Sequence, residues 1–273
     1  MPELPEVETI CRGLRRHLQG RRILRVKILQ SRLRRPVDAE LPARLEGQTI
    51  THVERRAKYL LIFLQSGIVW GFHLGMSGRL IYVAADMPRR KHDHIIVHFD
   101  GGGELRYHDP RRFGLSFVVP GDELWQLPQL ASLGLDPFSP HFNGDYLYVF
   151  TKRSSRRIRD LLLDQTVIGG IGNIYANEIL YRVGIRPTRR SHRLSRGEVA
   201  TIPPMTRKVL SEAIRWCGTS FSDYRDADDK FGDFQNHLRV YDREAEPCRK
   251  CHSLIKRVVL GNRSAFYCPS CQK

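Results

Sequence analysis

The last 26 residues contain four cysteines in two pairs, Cys248-x2-Cys251 and Cys268-x2-Cys271. Four thiolates at this spacing can close tetrahedrally on one Zn²⁺ ion, and the segments Leu254–Leu260 and Ser264–Tyr267 between the pairs have the pattern of two hairpin strands. No fifth ligand and no open coordination position is evident, so catalysis by the metal is not expected. The pattern therefore predicts one structural zinc ion on a basic hairpin, whose cations form either a solvated face or a phosphate-binding surface.

A second chemical feature is the start of the chain, Met-Pro-Glu. Methionine before proline is normally removed, and its loss would expose Pro2 as a secondary amine beside Glu3. An α-amine has a pKa of about 7.7–8.0 against about 10.4 for lysine, so far more of it is unprotonated at pH 7. Such an amine can attack an aldehyde-level carbon to form an electron-withdrawing iminium ion, with Glu3 shuttling protons. Alternatively, Pro2 serves only to start a helix.

The elements that must position these residues change along the chain. A helix is predicted first, because its apolar residues recur at helical spacing until Gly20 ends it. Short strands separated by turn signals follow up to about residue 120, and they predict an antiparallel sandwich or barrel. The predicted strands are Ile23–Leu29, Thr49–Val53, Tyr59–Leu64, Ile68–Leu74, Arg79–Val83, His94–Phe99, Glu104–His108 and Leu115–Val119.

Helical patterns dominate after a Pro- and Gly-rich stretch at residues 120–150. The predicted helices are Arg157–Leu163, Asn173–Arg182 after a Gly-rich turn, and one that Ser195 and Glu198 cap. We expect Pro203-Pro204 to interrupt that last helix, which would restart at Pro204 and run to Cys217. The acidic stretch Ser222–Phe234 is predicted to be a polar, mobile loop.

The charge balance points to a polyanion. The chain has 45 Lys+Arg against 29 Asp+Glu, a net charge of +16 and a pI near 10.0. Residues 150–215 hold 14 bases and 5 acids, so the excess is concentrated in one region, which favours a binding face over diffuse arginine-rich codon usage. The composition excludes a disordered or collagen-like chain. No apolar stretch is long enough for a membrane span, and the N-terminus does not have the pattern of a signal peptide.

Several motifs in unbroken order resemble bacterial formamidopyrimidine-DNA glycosylase, a family of base-excision repair enzymes. The resemblance runs from residue 2 to residue 272. Its motifs are the start PELPEVET, Arg55-Arg56-Ala57-Lys58-Tyr59-Leu60, His73-Leu74-Gly75-Met76-Ser77-Gly78, Lys91-His92-Asp93-His94, Asp109-Pro110-Arg111-Arg112-Phe113-Gly114, Gly172-Asn173-Ile174-Tyr175-Ala176 and the four-cysteine finger.

The resemblance implies an α+β chain in four parts. Residues 1–130 would form an N-terminal helix and antiparallel β-sandwich domain that carries the catalytic residues, and residues 131–150 a linker. Residues 151–240 would form a helix–two-turn–helix DNA-binding domain with a loop that caps the lesion. Residues 241–273 would form the zinc-finger hairpin.

The implied activity is that of a bifunctional DNA glycosylase and abasic-site lyase. Enzymes of this family flip oxidised purines, 8-oxoguanine and formamidopyrimidines, out of duplex DNA and excise them, then nick the strand by β,δ-elimination. Pro2 matches the family's Schiff-base nucleophile and Glu3 its proton donor. Lys58 matches the lysine that contacts the lesion's phosphate, although it could be an ordinary exposed strand lysine. Arg263 matches the residue assigned to δ-elimination.

Other residues match DNA contacts of the family. Asn173 and Arg263 correspond to a phosphate clamp, supported by a Gly-rich turn and a helix N-terminus that would let backbone N–H groups approach a phosphate. Flipping a base leaves a gap that apolar wedges can fill. The residues that match gap-filling and near-site contacts are Met76, Arg111, Phe113, His92, His73 and, in the basic run, Arg153. For a single histidine, a structural role is the ordinary alternative.

The sequence departs from the family in the capping loop, where Asp228-Asp229-Lys230-Phe231-Gly232 stands in place of Asp-Gly-Lys-Pro-Gly. This puts the loop's mobility and the lesion preference in doubt. Endonuclease VIII-type enzymes, which excise oxidised pyrimidines, begin differently and lack the Met76, Arg111 and Phe113 set. A non-catalytic zinc-ribbon DNA-binding protein is the alternative from another class, but it would have no need of Pro2, Glu3 and Lys58. We expect a cytoplasmic, nucleoid-associated monomer.

Overall fold

A computed structural model of the chain describes residues 2–221 and 224–273. These residues form two compact units. The first comprises the chain up to Ala131 together with Ile214–Gln235, and the second comprises Ser132–Ala213 and Asn236–Lys273.

The first unit begins with helix α1, Leu4–Leu18. Glu3 is its N-cap and forms a capping box with Glu6, which satisfies N–H groups that the first turn leaves without helical partners. The apolar stripe predicted from the sequence is fully buried. The remaining elements of this unit are β1 (Ile23–Ile28), α2 (Leu41–Leu45), β2 (Ile50–Arg56), β3 (Tyr59–Leu64), β4 (Ile68–His73), β5 (Arg79–Val83), β6 (Asp93–Phe99), β7 (Glu104–His108), β8 (Leu115–Pro120) and α3 (Pro128–Ala131).

The eight strands form two four-stranded antiparallel sheets, in the orders β1-β6-β7-β5 and β2-β3-β4-β8. Inward side chains of both sheets and of α1 belong to one hydrophobic core. Trp70 and Phe72 of β4 and Tyr107 of β7 are among its largest members, with ring centroids of Phe72 and Tyr107 5.3 Å apart. The predicted helix and antiparallel sandwich are therefore confirmed.

The second unit is helical with a small β-hairpin. Its elements are α4 (Gly144–Lys152), α5 (Ile158–Leu162), α6 (Asn173–Arg182), β9 (Lys256–Leu260), β10 (Arg263–Tyr267) and α7 (Arg196–Arg215), whose last two residues are counted with the first unit. Strands β9 and β10 pair antiparallel, with Leu260 opposite Arg263 at the turn. Ser195 and Glu198 exchange side-chain-to-backbone hydrogen bonds of 3.2 and 2.7 Å, which confirms the predicted capping box.

The predicted interruption of α7 is wrong. The helix runs through Pro203 and Pro204 without a break. Prolines forgo two backbone donors, but their fixed φ is compatible with a helix. Val199, Ile202 and Val209 are completely buried on both sides of the prolines, so packing outweighs the lost hydrogen bonds.

Residues 214–235 pack differently from the prediction that placed them in a domain of residues 151–240. They belong to the first unit because Glu6 accepts a hydrogen bond from the Thr219 N–H and Ala227 accepts one from the Tyr82 N–H. The other domain limits stay predictions. The expected polar loop has buried anchors at Tyr224, Ala227 and Phe234. Its first two residues, Ser222 and Asp223, lie outside the described part of the chain, and the mobility of the loop stays a prediction.

None of the described helices is both long enough and apolar enough to span a membrane.

Candidate functional site

The N-terminus of α1 holds a buried pair of carboxylates next to Pro2. Pro2 is buried, and Glu3 and Glu6 are 3 % and 1 % exposed. The Glu3 N–H donates to Glu6 Oε2 at 2.8 Å, and the Glu3 carboxylate accepts from the Glu6 N–H. Glu6 Oε1 accepts from the Thr219 N–H at 2.8 Å, which ties this corner to the segment after α7. The capping box thus fixes an acid beside the predicted nucleophile.

Lys58 lies in the tight turn between β2 and β3. Ala57 before it has a φ of +52°, a left-handed conformation that reverses the chain within two residues. Lys58 is only 7 % exposed, so it is not the ordinary exposed strand lysine considered as an alternative. A buried ammonium group requires polar partners, and burial of this kind is typical of functional lysines.

His73 ends β4 close to Lys58. Burial, the positive charge of Lys58 and that of Arg34 lower the pKa of His73 to about 4. The imidazole is therefore neutral at pH 7, and its Nδ1 accepts a hydrogen bond of 3.2 Å from the Gly75 N–H. Pro2, Glu3, Lys58 and His73, which we call the N-terminal site, all lie in the first unit.

Two turns of the first unit are joined by the buried carboxylate of Asp109. Its Oδ1 accepts from the Ser77 hydroxyl at 2.6 Å, and its Oδ2 accepts from the Tyr107 hydroxyl at 3.0 Å and the Gly114 N–H at 2.9 Å. The Ser77 hydroxyl oxygen in turn accepts from the Arg111 N–H. A Cβ on Gly75 would clash with the backbone of Phe113, so only glycine permits this approach. Asp109 therefore fixes the relative positions of the turns at 74–78 and 109–114.

These turns present Met76, Arg111 and Phe113 to solvent. Met76 is 42 % and Phe113 47 % exposed, so neither is a core residue. The Arg111 guanidinium lies over the Phe113 ring, 4.7 Å from its centroid. The structure thus brings the three residues of the predicted gap-filling set onto one pair of turns.

His92 lies just before β6, at the end of the loop that follows β5. Its ring is 5.9 Å from that of His108 and 6.3 Å from that of His94. Partial burial and the neighbouring histidines and cations lower its pKa, so the neutral imidazole is favoured. His92 is half-buried beside two structural histidines: His94 bonds the Asp109 carbonyl, and His108 bonds Asp93.

In the second unit, Asn173 opens α6 and contacts the zinc-finger hairpin. Its Nδ2 donates to the Ser264 carbonyl at 3.0 Å, while its Oδ1 accepts from Arg159 Nη2 at 2.7 Å. Arg159 is 1 % exposed. Burial and the positive charges of Arg263 and Arg157 lower the pKa of the Arg159 guanidinium, and the opposing attraction of Asp160 is too weak to restore it. Arg263 is exposed at the hairpin turn. We call Arg159, Asn173, Arg263 and Ser264 the Asn173 cluster.

Arg153, another predicted DNA contact of the second unit, makes no described contact with the Asn173 cluster. It is the C-cap residue of α4, and its side chain is exposed.

The four cysteines of the hairpin converge as the spacing predicts. Their sulfur atoms all lie within 4.8 Å of one another. The N–H groups of Lys250 and Cys271 each donate to a cysteine sulfur at 3.4 Å, and Tyr181 lies 3.2 Å from Cys248 Sγ. Such contacts to sulfur favour the thiolate and orient it toward a metal. Four thiolates in this arrangement fit one tetrahedral Zn²⁺ ion with no open position.

Sequence reasoning missed several buried polar residues that hold the site. Asp109 lies in one of the motifs of the resemblance but had no predicted role, and Arg159 was not among the predicted site residues. Glu178 is fully buried on α6 and accepts hydrogen bonds from the N–H groups of Arg239, Val240 and Tyr241, the first of which contacts both carboxylate oxygens. These bonds attach the segment that precedes the hairpin to α6. The signal that could have found Arg159 and Glu178 is a charged residue inside an apolar helical stripe.

Comparison with known proteins agrees with this geometry. Three family models match in order: the formamidopyrimidine-DNA glycosylase N-terminal domain at residues 1–116, its H2TH domain at residues 133–225, and the zinc finger found in FPG and IleRS at residues 245–273. The formamidopyrimidine-DNA glycosylase of Thioalkalivibrio sulfidiphilus is 47% identical over 273 residues and that of Hahella chejuensis 45%, with both chains covered completely. The chain belongs to the formamidopyrimidine-DNA glycosylase family.

Solved structures of this glycosylase family have the same fold. A Lactococcus lactis Fpg variant in complex with Fapy-dG-containing DNA matches with a TM-score of 0.92 at 30% identity over 100% of both chains. A complex of Lactococcus lactis Fpg with abasic-site DNA matches equally well, with 99% of each chain covered. The predicted family, fold class and enzyme class, a DNA glycosylase of base-excision repair, are thereby confirmed, as is one zinc ion as the cofactor.

Proposed function

We propose that this glycosylase removes oxidised purines, 8-oxoguanine and formamidopyrimidines, from duplex DNA and then nicks the strand at the abasic site. The observation that carries the proposal is the buried placement of Pro2 beside the Glu3 carboxylate. A protein that only binds DNA needs neither group. The Lactococcus lactis complexes with Fapy-dG and abasic-site DNA support the same substrate class.

Pro2 is the nucleophile of the proposed reaction. Removal of Met1, which lies outside the described residues, frees the secondary amine. The amine nitrogen attacks C1′ of the damaged nucleotide, and the bond from C1′ to the base breaks as the base leaves with a proton. The bond from C1′ to the ring oxygen then breaks, and that oxygen takes a proton from Glu3. The product is a positively charged iminium between Pro2 and the opened sugar.

The iminium withdraws electrons and makes the C2′ proton acidic. Loss of that proton expels the 3′ phosphate, which is β-elimination, and a second elimination expels the 5′ phosphate. Water then hydrolyses the iminium and frees Pro2. We assign Lys58 to contact with the lesion's phosphate and to proton transfer. We assign Arg263 to the second elimination, because its exposed guanidinium can stabilise the departing phosphate.

The remaining predicted residues bind the duplex. The exposed guanidinium of Arg263 and the side-chain amide of Asn173, at a helix N-terminus, can donate hydrogen bonds to a DNA phosphate. Extrusion of a base costs a few kcal/mol, and Met76 and Phe113 can fill the gap while Arg111 donates to the unpaired partner base. His73, His92 and Arg153 are proposed as further contacts. Zinc holds the hairpin through its four cysteines, and the whole is proposed to act as a cytoplasmic, nucleoid-associated monomer on one duplex.

Borohydride trapping tests the mechanism. Borohydride reduces an iminium to a stable amine, so the enzyme incubated with a duplex containing 8-oxoguanine should become covalently attached to DNA. Pro2→Gly should lose at least about tenfold of the adduct, because the freer glycine backbone no longer holds the terminal amine in position for attack. An undiminished adduct with Pro2→Gly, or none with wild-type protein that lacks Met1, would contradict the mechanism.

The substrate class needs a separate measurement. Excision rates should be compared on duplexes with 8-oxoguanine opposite each base, with a formamidopyrimidine and with an oxidised pyrimidine. The last substrate is included because a Lactococcus lactis Fpg complex that matches over 100% of both chains contains an oxidised pyrimidine in its DNA. Oxidised purines opposite cytosine should react fastest. A faster reaction on the oxidised pyrimidine would contradict the proposed preference.

A further inference from the structure

Asp229 combines two unfavourable features in one residue. Its φ is +60°, in the left-handed region that favours glycine. Its Oδ1 is buried and has no hydrogen-bond partner within the described part of the chain. An aspartate that occupies a left-handed position and leaves one buried oxygen unsatisfied is a candidate for a functional role.

The other carboxylate oxygen of Asp229 makes a close ion pair. Its Oδ2 lies 2.6 Å from Arg90 Nη2, although the two residues are 139 positions apart in sequence. The side chains are 27% and 36% exposed, so the pair is partly shielded from solvent. The hydrogen bond that Arg90 donates to the Asp229 carboxylate raises the pKa of the guanidinium.

The turn at residues 226–230 that carries Asp229 is itself well ordered by hydrogen bonds. Asp226 Oδ1 accepts from the N–H groups of Asp228 and Lys230 at 3.0 and 2.8 Å. The side chain of Asp228 lies 2.6 Å from His17 on α1, and the Ala227 carbonyl accepts from the Tyr82 N–H on β5. The turn is therefore anchored on α1 and β5, and Asp229 extends from it toward a third element.

That third element is the loop at residues 84–92, between β5 and β6. The buried Arg106 donates to the carbonyls of Met87 and Pro88 at 2.6 and 3.0 Å and so fixes the loop from below. The Arg90 N–H donates to the buried Asp93 carboxylate at 2.8 Å. The loop ends at His92, which we have proposed as a DNA contact. Arg90 therefore lies on a loop that hydrogen bonds hold in place, and it can position Asp229.

We propose that Asp229 is a positioning residue, which ties the turn at residues 226–230 to the loop that carries His92 through its ion pair with Arg90. A glycine here would relieve the backbone but could not link the two segments. The link acts through Arg90 and touches no substrate. When the duplex binds, the link holds His92 and the turn in one arrangement. This consequence for lesion binding rests on the proposed function.

Hydrogen–deuterium exchange of the free full-length protein tests the link without reference to activity. Asp229→Asn keeps the size of the side chain and tolerates a left-handed backbone, but it removes the charge. We expect exchange of the 84–92 amides to rise about fivefold in this variant, and Arg90→Ala to raise exchange at residues 226–230 by a similar factor. Asp145→Asn, which breaks an exposed ion pair with Arg196 of the same 2.6 Å length, should change neither segment. Wild-type exchange at 84–92 in Asp229→Asn overturns the proposal.

A double-mutant cycle on excision of 8-oxoguanine tests the consequence. Asp229→Asn and Arg90→Ala should each raise KM about fivefold with little change in kcat, and the double variant should be no worse than either alone. Arg90→Lys should recover part of the loss. Additive losses overturn the coupling. If wild-type protein excises no oxidised purine, the proposed function fails while the exchange result still decides the link.

Discussion

The N-terminal site and the Asn173 cluster place their functional groups in opposite ways. In the N-terminal site the groups proposed to react are themselves buried: Glu3 is 3% and Lys58 7% exposed. In the Asn173 cluster the buried residue is a support, Arg159, and the cation proposed to meet DNA, Arg263, is exposed. Burial suits proton transfer, since it tunes the acidity of a few groups, whereas exposure suits phosphate binding, which depends on charge at the surface.

This difference predicts that the two regions fail in different assays. Changes in the N-terminal site should slow the chemistry of bound DNA. Changes in the Asn173 cluster and its hairpin should weaken binding and alter its salt dependence.

The largest effect is expected for Glu3→Gln. Glutamine still accepts the capping hydrogen bond but cannot donate the proton required for ring opening, so single-turnover excision should slow by about 10²–10⁴-fold. DNA affinity and thermal stability should change little. Glu6→Gln, in the same capping box, is the matched control and should slow excision much less. Equal losses in both variants would mean that Glu3 acts only as a helix cap.

Removal of a zinc ligand should separate the second region from the first. Cys268→Ser should release zinc and unfold the hairpin, because the metal supplies most of the folding free energy of so small an element. DNA affinity should fall at least about tenfold, since the hairpin's phosphate contacts are lost. Cys217→Ser changes an exposed cysteine outside the cluster and should retain zinc and affinity. Retention of full affinity by zinc-free Cys268→Ser would contradict the binding role of the hairpin.

His73 makes the first unit sensitive to acid. Its pKa is about 4 in the folded protein against 6.5 for an ordinary histidine, so the unfolded chain binds more protons between these values. This contribution to stability is complete above pH 6.5 and is lost as the pH falls to about 4; it amounts to roughly 3 kcal/mol. Urea titrations of His73→Phe should show a shallower loss of stability in this window. The exposed His141→Gln should leave the slope unchanged, and a wild-type slope in His73→Phe would contradict the burial of a neutral imidazole.

Arg263→Ala should affect binding through charge. Loss of one phosphate contact should weaken affinity about five- to tenfold and reduce the slope of log affinity against log salt by about 1. The product pattern should shift from δ- to β-elimination. Lys256→Ala, on the same hairpin and also exposed, provides the comparison for charge alone. If both variants give the same product ratio, Arg263 has no part in the second elimination.

Phe113→Ala should give the smallest change. The ring is half exposed, so folding stability should alter by no more than about 0.5 kcal/mol. The loss of a wedge beside the extruded base should raise KM for lesion-bearing duplex by about fivefold, because a half-exposed ring contributes about 1 kcal/mol, the lower end of the stacking range. Trp125→Ala, another exposed aromatic residue of the first unit, should leave KM unchanged.

Local patterns were sufficient to predict much of the fold. The helical stripe of α1, the alternating strands and the cysteine spacing each depend on neighbouring residues, and the structure agrees with them. Contacts between distant residues were not predictable in this way. The hydrogen bond from the Ser77 hydroxyl to the Asp109 carboxylate and the burial of Arg159 depend on residues that only the folded chain brings together. The unbroken course of α7 through Pro203 and Pro204 likewise depends on packing, which local propensity does not include.

The most direct test of the central claim, that the buried amine of Pro2 forms the covalent bond to DNA, is peptide mapping of the borohydride-trapped complex by mass spectrometry. We predict that the sugar-derived mass is found on the N-terminal peptide, attached to the nitrogen of Pro2 in molecules that lack Met1. Attachment at Lys58 or any other lysine, with an unmodified N-terminal peptide, would contradict the account.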